Sequence, residues 1–126
     1  ICEVFNIPST EAVWCVRRLR LADDIPIAFN DLFIPPRLEF CADELFNLKS
    51  YYELLESKFS LTPQNAFDKL GVCQAEDEEV KLLEVESGDT LIKLKRTTFS
   101  EDGQPLEYTD ICFDPKYFEY RVFLNL

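Results

Sequence analysis

Taken two residues at a time, the stretch Val13–Ile34 (VWCVRRLRLADDIPIAFNDLFI) leaves little choice of local structure. Alternation along a β-strand puts Trp14, Val16, Arg18 and Arg20 on one face and Val13, Cys15, Arg17, Leu19 and Leu21 on the other. Ala22-Asp23-Asp24 supplies turn chemistry, and Pro26 opens a return arm where a strand tolerates a missing N–H. Pro35-Pro36 then stops it, because proline has no donor and bars the helical region to the residue before it. A hairpin over 13–34 is the expectation. Its Arg18 and Arg20 point the same way, and two planar forks of donors suit a fixed anion. A solvated strand face is the competing reading of the same two residues.

Composition removes most other chemistry. With 126 residues the chain is one domain, and its 47% hydrophobic content makes it globular. A formal net charge of −11 repels a phosphate backbone, so this chain is not expected to bind nucleic acid itself. No apolar run approaches the roughly 20 residues of a membrane helix, and no signal peptide is visible. Five cysteines without a C-x-x-C pair, mostly among apolar neighbours, are expected to be mostly small buried hydrophobes in a reducing cytosol. The absence of histidine removes imidazole–zinc sites and every device that needs a histidine base. Three glycines are too few for a P-loop, a dinucleotide fingerprint or a nucleophile elbow. No spacing favours paired-carboxylate catalysis, so neither a metal nor a cofactor is expected. A start at Ile1 without methionine is expected of a piece of a longer protein.

Along the chain, residues 1–12 read as mixed, with a turn at Pro8 and Ser9-Thr10. Residues 37–49 read as loop with one helical turn near Asp43–Phe46. Ser50-Tyr51-Tyr52-Glu53 is a capping-box pattern that starts a helix over about 51–59, with Tyr51, Leu54, Leu55 and Phe59 as its apolar stripe. Its free N–H groups make a natural anion seat, although Ser50 as a mere cap explains the pattern too. Residues 63–75 are expected to be an irregular strand with a bulge at Gly71. A second helix is expected over 75–85, with Val80, Leu82 and Leu83 inward and Glu76–Glu79 on a wet face. Ser87-Gly88-Asp89 leads into a second hairpin, 90–114, tipped by Glu101-Asp102-Gly103-Gln104. A brief turn at 115–118 precedes a final or edge strand over Glu119–Leu126.

The two hairpins look like copies, with Pro26 matching Pro105 and Asp31 matching Asp110. In that register Ala28, Asn30, Leu32 and Ile34 correspond to Glu107, Thr109, Ile111 and Phe113. The expected product is α+β, a pseudo-symmetric antiparallel sheet with helices to one side, in which Asn30 and Glu107 look inward as polar partners. Arg18, Arg20, a helix start, Asn30 and Glu107 then make a recognition site, an apolar pocket with a few convergent polar groups.

The order RRLRLADDIPIA…IP, then SYYELLESKF, then AEDEEVKLLEVESGDTLIKLKRTTFSEDGQPLEY resembles the effector-binding (UTRA) domain of GntR-type bacterial transcriptional regulators. No single motif is specific, but their order runs over nearly all 126 residues. The resemblance implies a chorismate-lyase-like fold, an antiparallel β-sheet flanked by short helices, assembled as a homodimer in the cytoplasm. It implies a small anionic effector such as a sugar phosphate, and contact with operator DNA only through an N-terminal winged helix-turn-helix absent from this chain. By the same likeness, phosphate falls to Arg18 and Arg20 with Ser50 and Tyr52, and the ligand's polar body to Glu107. Two positions depart from the family pattern: Asn30 stands where members often have glutamate, and Phe113 where they often have tyrosine. The phosphate end is thus expected to be kept and the sugar-discriminating end altered, which puts glucosamine-type ligands in doubt. The rival readings are a dimerisation module with a vestigial pocket and a chorismate-lyase-type enzyme.

Overall fold

The computed structural model describes residues 1–126. Its elements are α1 (Cys2–Phe5), β1 (Trp14–Ala22), β2 (Ile25–Ile34), α2 (Ala42–Phe46), α3 (Tyr51–Phe59), β3 (Asn65–Gln74), α4 (Asp77–Leu83), β4 (Thr90–Phe99) and β5 (Pro105–Phe113), with a 3-10 turn at Pro115–Tyr117. The five strands form one antiparallel sheet in the order β1-β2-β5-β4-β3, an α+β architecture.

The two hairpins are joined back to back along β2 and β5, and their likeness extends to backbone detail. In the first, Arg20 pairs with Ala28 and Leu21 with Pro26, so Ile27 is left over as a bulge. In the second, Thr98 pairs with Glu107 and Phe99 with Pro105, so Leu106 is left over in the same way. Each bulge adds one residue to one strand only and bends it. Both extra residues pack into the core on the same sheet face, Leu106 at one end and Ile27 at the other. Asp31 and Asp110, matched in sequence, lie directly opposite each other where β2 meets β5. They mark a local two-fold axis through the sheet. Like charges so placed repel. Arg17 holds Asp31 by two bonds of 2.6 and 2.7 Å, and Lys93 holds Asp110 at 2.9 Å.

The same axis relates α1 to the last turn of α4. Both end on a left-handed non-glycine residue, Asn6 and Glu84, each with φ 55°. The α1 turn was not expected from sequence, because four residues carry too short a pattern to read.

Helices cover both faces of the sheet, not one. On the first face α2 and α3 bury Leu38, Phe40, Leu45, Tyr51 and Leu55 against Leu32, Ile34 and Leu106. Leu55, Ile34 and Leu106 are fully buried, each contributing roughly 1.5–3 kcal/mol. The Tyr51 hydroxyl donates to the Leu106 carbonyl at 2.7 Å and ties α3 to the bulge. On the opposite face Leu83 of α4 packs with Phe29, Ala75, Leu91 and Cys112, and Arg17 reaches Glu78 across it. Alternation leaves Phe29 and Cys112 apolar on that second face, and α4 is what covers them.

Four further expectations are corrected. Gly71 pairs in unbroken register with Lys93, and the bulges fall at Ile27 and Leu106, where a proline already weakens the ladder. Ser50 accepts the Glu53 N–H at 3.4 Å, but Glu53 does not reach back; complete reciprocal boxes occur at Cys41/Glu44 and Glu76/Glu79. Cys15 and Cys41 are exposed and only Cys112 is buried. Glu119–Leu126 forms no strand: it is exposed along its length and pairs with neither sheet edge.

Candidate functional site

A cavity of about 280 Å³ opens on the first face of the sheet, beside the core under α3. Strand alternation builds its floor. Arg18 pairs with Asn30, and Asn30 with Ile111; one step along, Val16 pairs with Leu32, Leu32 with Thr109, and Thr109 with Arg96. Arg20 closes the rim on the β1 side, and Ser50, Tyr51 and Tyr52 bring in the start of α3.

Six of the seven residues singled out from sequence line this one cavity: Arg18, Arg20, Asn30, Ser50, Tyr52 and Glu107. Phe113 does not. It lies at the other end of β5, paired with Ala28 and packed on Phe118 at 4.9 Å. Marked by the family resemblance, it shares the sheet face of Ile111 but lies beyond the cavity. Arg96 and Thr109 were missed as site residues. Alternation on β4 would have put Arg96 on the cavity face, yet without the pairing register nothing indicated how far along the sheet it fell.

The polar groups divide into two sides. On the β1 side the Arg18 guanidinium makes one long bond, to the Lys49 carbonyl at 3.3 Å. Arg20 makes no ion pair and remains exposed. On the β5 side the Glu107 carboxyl is buried, and its Oε1 accepts from the Tyr52 hydroxyl and the Thr109 hydroxyl, both at 3.1 Å. Burial pushes its pKa up, opposed by those two donors and by the charge of Arg96. Burial and the nearby carboxylate push the Tyr52 hydroxyl up to about 12, so it stays a donor at neutral pH. Arg96 is locked by Asp68 of β3 through bonds of 2.7 and 2.8 Å, which raises its pKa. Between the two sides Asn30 presents a buried Oδ1 with no hydrogen-bond partner. A buried acceptor left unpaired is costly, so such an atom in a cavity wall marks a place for a ligand's donor.

The arrangement can hold a molecule with an anionic end at Arg18 and Arg20 and hydroxyl or amine donors at Asn30 and Glu107. The structure holds no group of three or more Cys, Asp or Glu placed to ligate a metal, and no helix is long and apolar enough to cross a membrane.

Comparison with known proteins bears on the family and the fold. The model of the UTRA domain family matches residues 1–119. The chain is 31% identical over 93 residues to the HTH-type transcriptional repressor NagR of Bacillus subtilis, an alignment covering 74% of this chain and 38% of that protein. It is 30% identical over 112 residues to the HTH-type regulator YurK of the same organism, covering 84% and 44%. The chain therefore spans less than half the length of these relatives. Among solved structures, a GntR-family regulator from Enterococcus faecalis superposes with a TM-score of 0.86 at 26% identity, covering 98% of this chain and 88% of that one. The ligand-binding domain of a GntR-family regulator from Bordetella bronchiseptica gives 0.87 at 26%, covering 99% and 80%.

Proposed function

The chain belongs to the UTRA family, the effector-binding domain of GntR-family transcriptional regulators, and from that premise we propose that its cavity binds a small anionic metabolite of the sugar-phosphate class. One observation carries the reading. Arg18, free of any carboxylate, and Arg20 stand together at one end of a cavity whose other wall offers Asn30 Oδ1 and the buried Glu107 carboxylate. Phosphate meets the guanidinium pair and the first N–H groups of α3 beside Ser50. Sugar hydroxyls donate to Asn30 Oδ1 and to Glu107 Oε2, which no protein donor occupies.

The effector then acts on a homodimer in the cytoplasm, with operator contact made by an N-terminal winged helix-turn-helix outside this chain, in the manner of a repressor. Its contacts span β1, β2, β5 and α3, so it favours whichever dimer arrangement brings those elements to the binding distance. A ligand shifts such an equilibrium only by its difference in affinity for the two arrangements.

A thermal-shift screen of the chain against phosphorylated sugars, their neutral parents and simple carboxylates tests this. At 100 times its dissociation constant a ligand adds about 2.7 kcal/mol, several degrees for a domain of this size. The expected result is a shift with a sugar phosphate that is absent with its neutral parent and lost in Arg18→Ala. A shift with carboxylates alone would discard the sugar, and no shift with any of them would leave a dimerisation module without a working pocket.

A further inference from the structure

The second face of the sheet carries a row of charge from one edge to the other. Arg17, Asp31, Asp110, Lys95 and Lys69 stand directly opposite one another on β1, β2, β5, β4 and β3. Both carboxylates of the row are already spent. Arg17 takes Asp31, and Lys93, two residues along β4 on the same face, takes Asp110 at 2.9 Å. Lys69 and Lys95 are the surplus: both are exposed, and neither enters an ion pair. Facing residues bring their Cβ atoms to roughly 4.5–5.5 Å, and like charges so placed repel. Acidic residues outnumber basic ones by 24 to 13, so a shortage of carboxylates does not explain the unpartnered pair.

Gly71 is a second, independent sign. It sits inside β3, two residues from Lys69 and opposite Lys93, in unbroken register. Its φ is not positive, and a Cβ there would meet nothing within 4 Å, so neither backbone nor packing requires glycine. Glycine weakens a strand interior, and away from a bulge or bend it marks a place that another group approaches closely. A cavity of about 290 Å³ opens there, and its lining includes Lys69, Gly71, Cys73, Lys93 and Lys95. Three ammonium groups thus line a cleft whose floor has no side chain.

We propose that this cleft is a second anion site, on the face opposite the effector cavity, and that it takes the doubly charged phosphate of a phosphate monoester. Asp110 neutralises Lys93, so Lys69 and Lys95 contribute two uncompensated charges, which a dianion matches. The oxygens of a phosphate diverge, and separate lysine point charges can each meet one; a planar carboxylate suits the fork of an arginine instead. The bare backbone at Gly71 leaves the phosphate room to sit between Lys69 and Lys93. The cleft shares no residue with the effector cavity, so it stands whether or not that cavity takes a sugar phosphate. Its occupation removes the repulsion across β3 and β4, the two strands that hold Asp68 and Arg96 together on their other face.

The test is an amide chemical-shift titration at about pH 8, where a phosphate monoester carries two charges. The probes are methyl phosphate and methyl sulfate, alike in shape but one charge apart. Arg18→Ala/Arg20→Ala serves as the background, which keeps the effector cavity from contributing. The expected result is a saturating shift with methyl phosphate at residues 69–73 and 93–95, and a far weaker one with methyl sulfate. Lys69→Gln/Lys95→Gln should weaken binding on the order of 10-fold or more. Gly71→Val should abolish it while holding or raising the thermal midpoint, since valine favours a strand and its Cβ meets nothing. Shifts that never saturate, or equal binding of methyl sulfate, would reduce the cleft to general charge attraction and overturn the proposal. Binding that survives Lys69→Gln/Lys95→Gln or Gly71→Val unchanged would place the anion elsewhere and overturn it too.

Discussion

The two hairpins share a backbone plan, and what differs between them leaves one arginine nearly free and braces the other. Arg18 on β1 and Arg96 on β4 occupy equivalent positions, and both line the cavity. Arg96 has β3 beside it, and Asp68 takes its guanidinium in two bonds. Arg18 sits on the sheet's outer strand, has no such neighbour and is left with one long bond to a carbonyl. Ala28 and Glu107 are a second such pair: a methyl packed in the core of one hairpin, a buried carboxyl in the other. Two alike hairpins thus line one cavity asymmetrically because only one half has a strand flanking its arginine.

The sharpest way to break this comparison is to remove each arginine in turn. Arg18→Ala should weaken sugar-phosphate binding roughly 10- to 150-fold, the range for a charge-assisted contact of about 1.5–3 kcal/mol, with the denaturation midpoint unchanged. Arg96→Ala should do the reverse in stability, costing on the order of 1 kcal/mol because the pair it leaves is half-exposed. Calorimetry and urea titration on both variants decide it. If Arg96→Ala abolished binding while Arg18→Ala did not, the two sides would have been assigned the wrong way round.

Glu107→Gln sharpens the second pair. Burial raises the folded pKa of Glu107 above the 4.5 of an ordinary glutamate, so the folded state keeps this proton to higher pH than the unfolded chain does. The carboxyl therefore costs nothing below about pH 4.5 and destabilises increasingly as pH rises through the folded value. Glutamine can keep both hydroxyl donors without the charge. It should raise the thermal midpoint at pH 7, lose that gain towards pH 4, and weaken effector binding throughout. A variant less stable than the parent at pH 7 would mean that the ionised carboxylate supports the fold.

The smallest expected effect lies in the turns. The first hairpin closes on Asp23 and Asp24, both with positive φ (49° and 64°), whereas the second uses Gly103 at φ 80°. Both central residues of a two-residue turn of this kind favour glycine or asparagine at the second place. Asp24→Gly should stabilise by roughly 0.5–1 kcal/mol, read as a higher urea midpoint with an unchanged slope. A loss of stability would show that the Asp24 carboxylate contributes more than its backbone costs.

Much of this was legible beforehand because alternation and turn residues are local. The hairpins over 13–34 and 90–114, the Ser50 start of α3 and the likeness of the two halves all follow from neighbours in sequence. The bulges were not read: Pro26 and Pro105 sit where each ladder breaks, whereas the one bulge expected was at Gly71. Arg18, Arg20, Asn30 and Glu107 were marked by counting faces and Ser50 by its capping pattern, whereas Tyr52 was marked only by the family resemblance. That Phe113, marked by the resemblance, lies away from the cavity and that Arg96 lines it was not legible, because a face says nothing of distance along it. That needs the β2–β5 register, which pairs residues some eighty apart and was not written in either hairpin alone.

By itself, then, the sequence determined which side chains share a face and where the chain turns, and its lack of histidine and scarcity of glycine removed the devices built on them. Tertiary structure decided which arginine is free. Arg18 and Arg96 read alike as strand residues on the same face, and only the placing of β3 beside β4, with no strand beyond β1, sets a carboxylate against one and not the other. The reason is physical: a guanidinium binds the nearest well-oriented carboxylate, and nearness across a sheet is fixed by strand order, which no local pattern encodes.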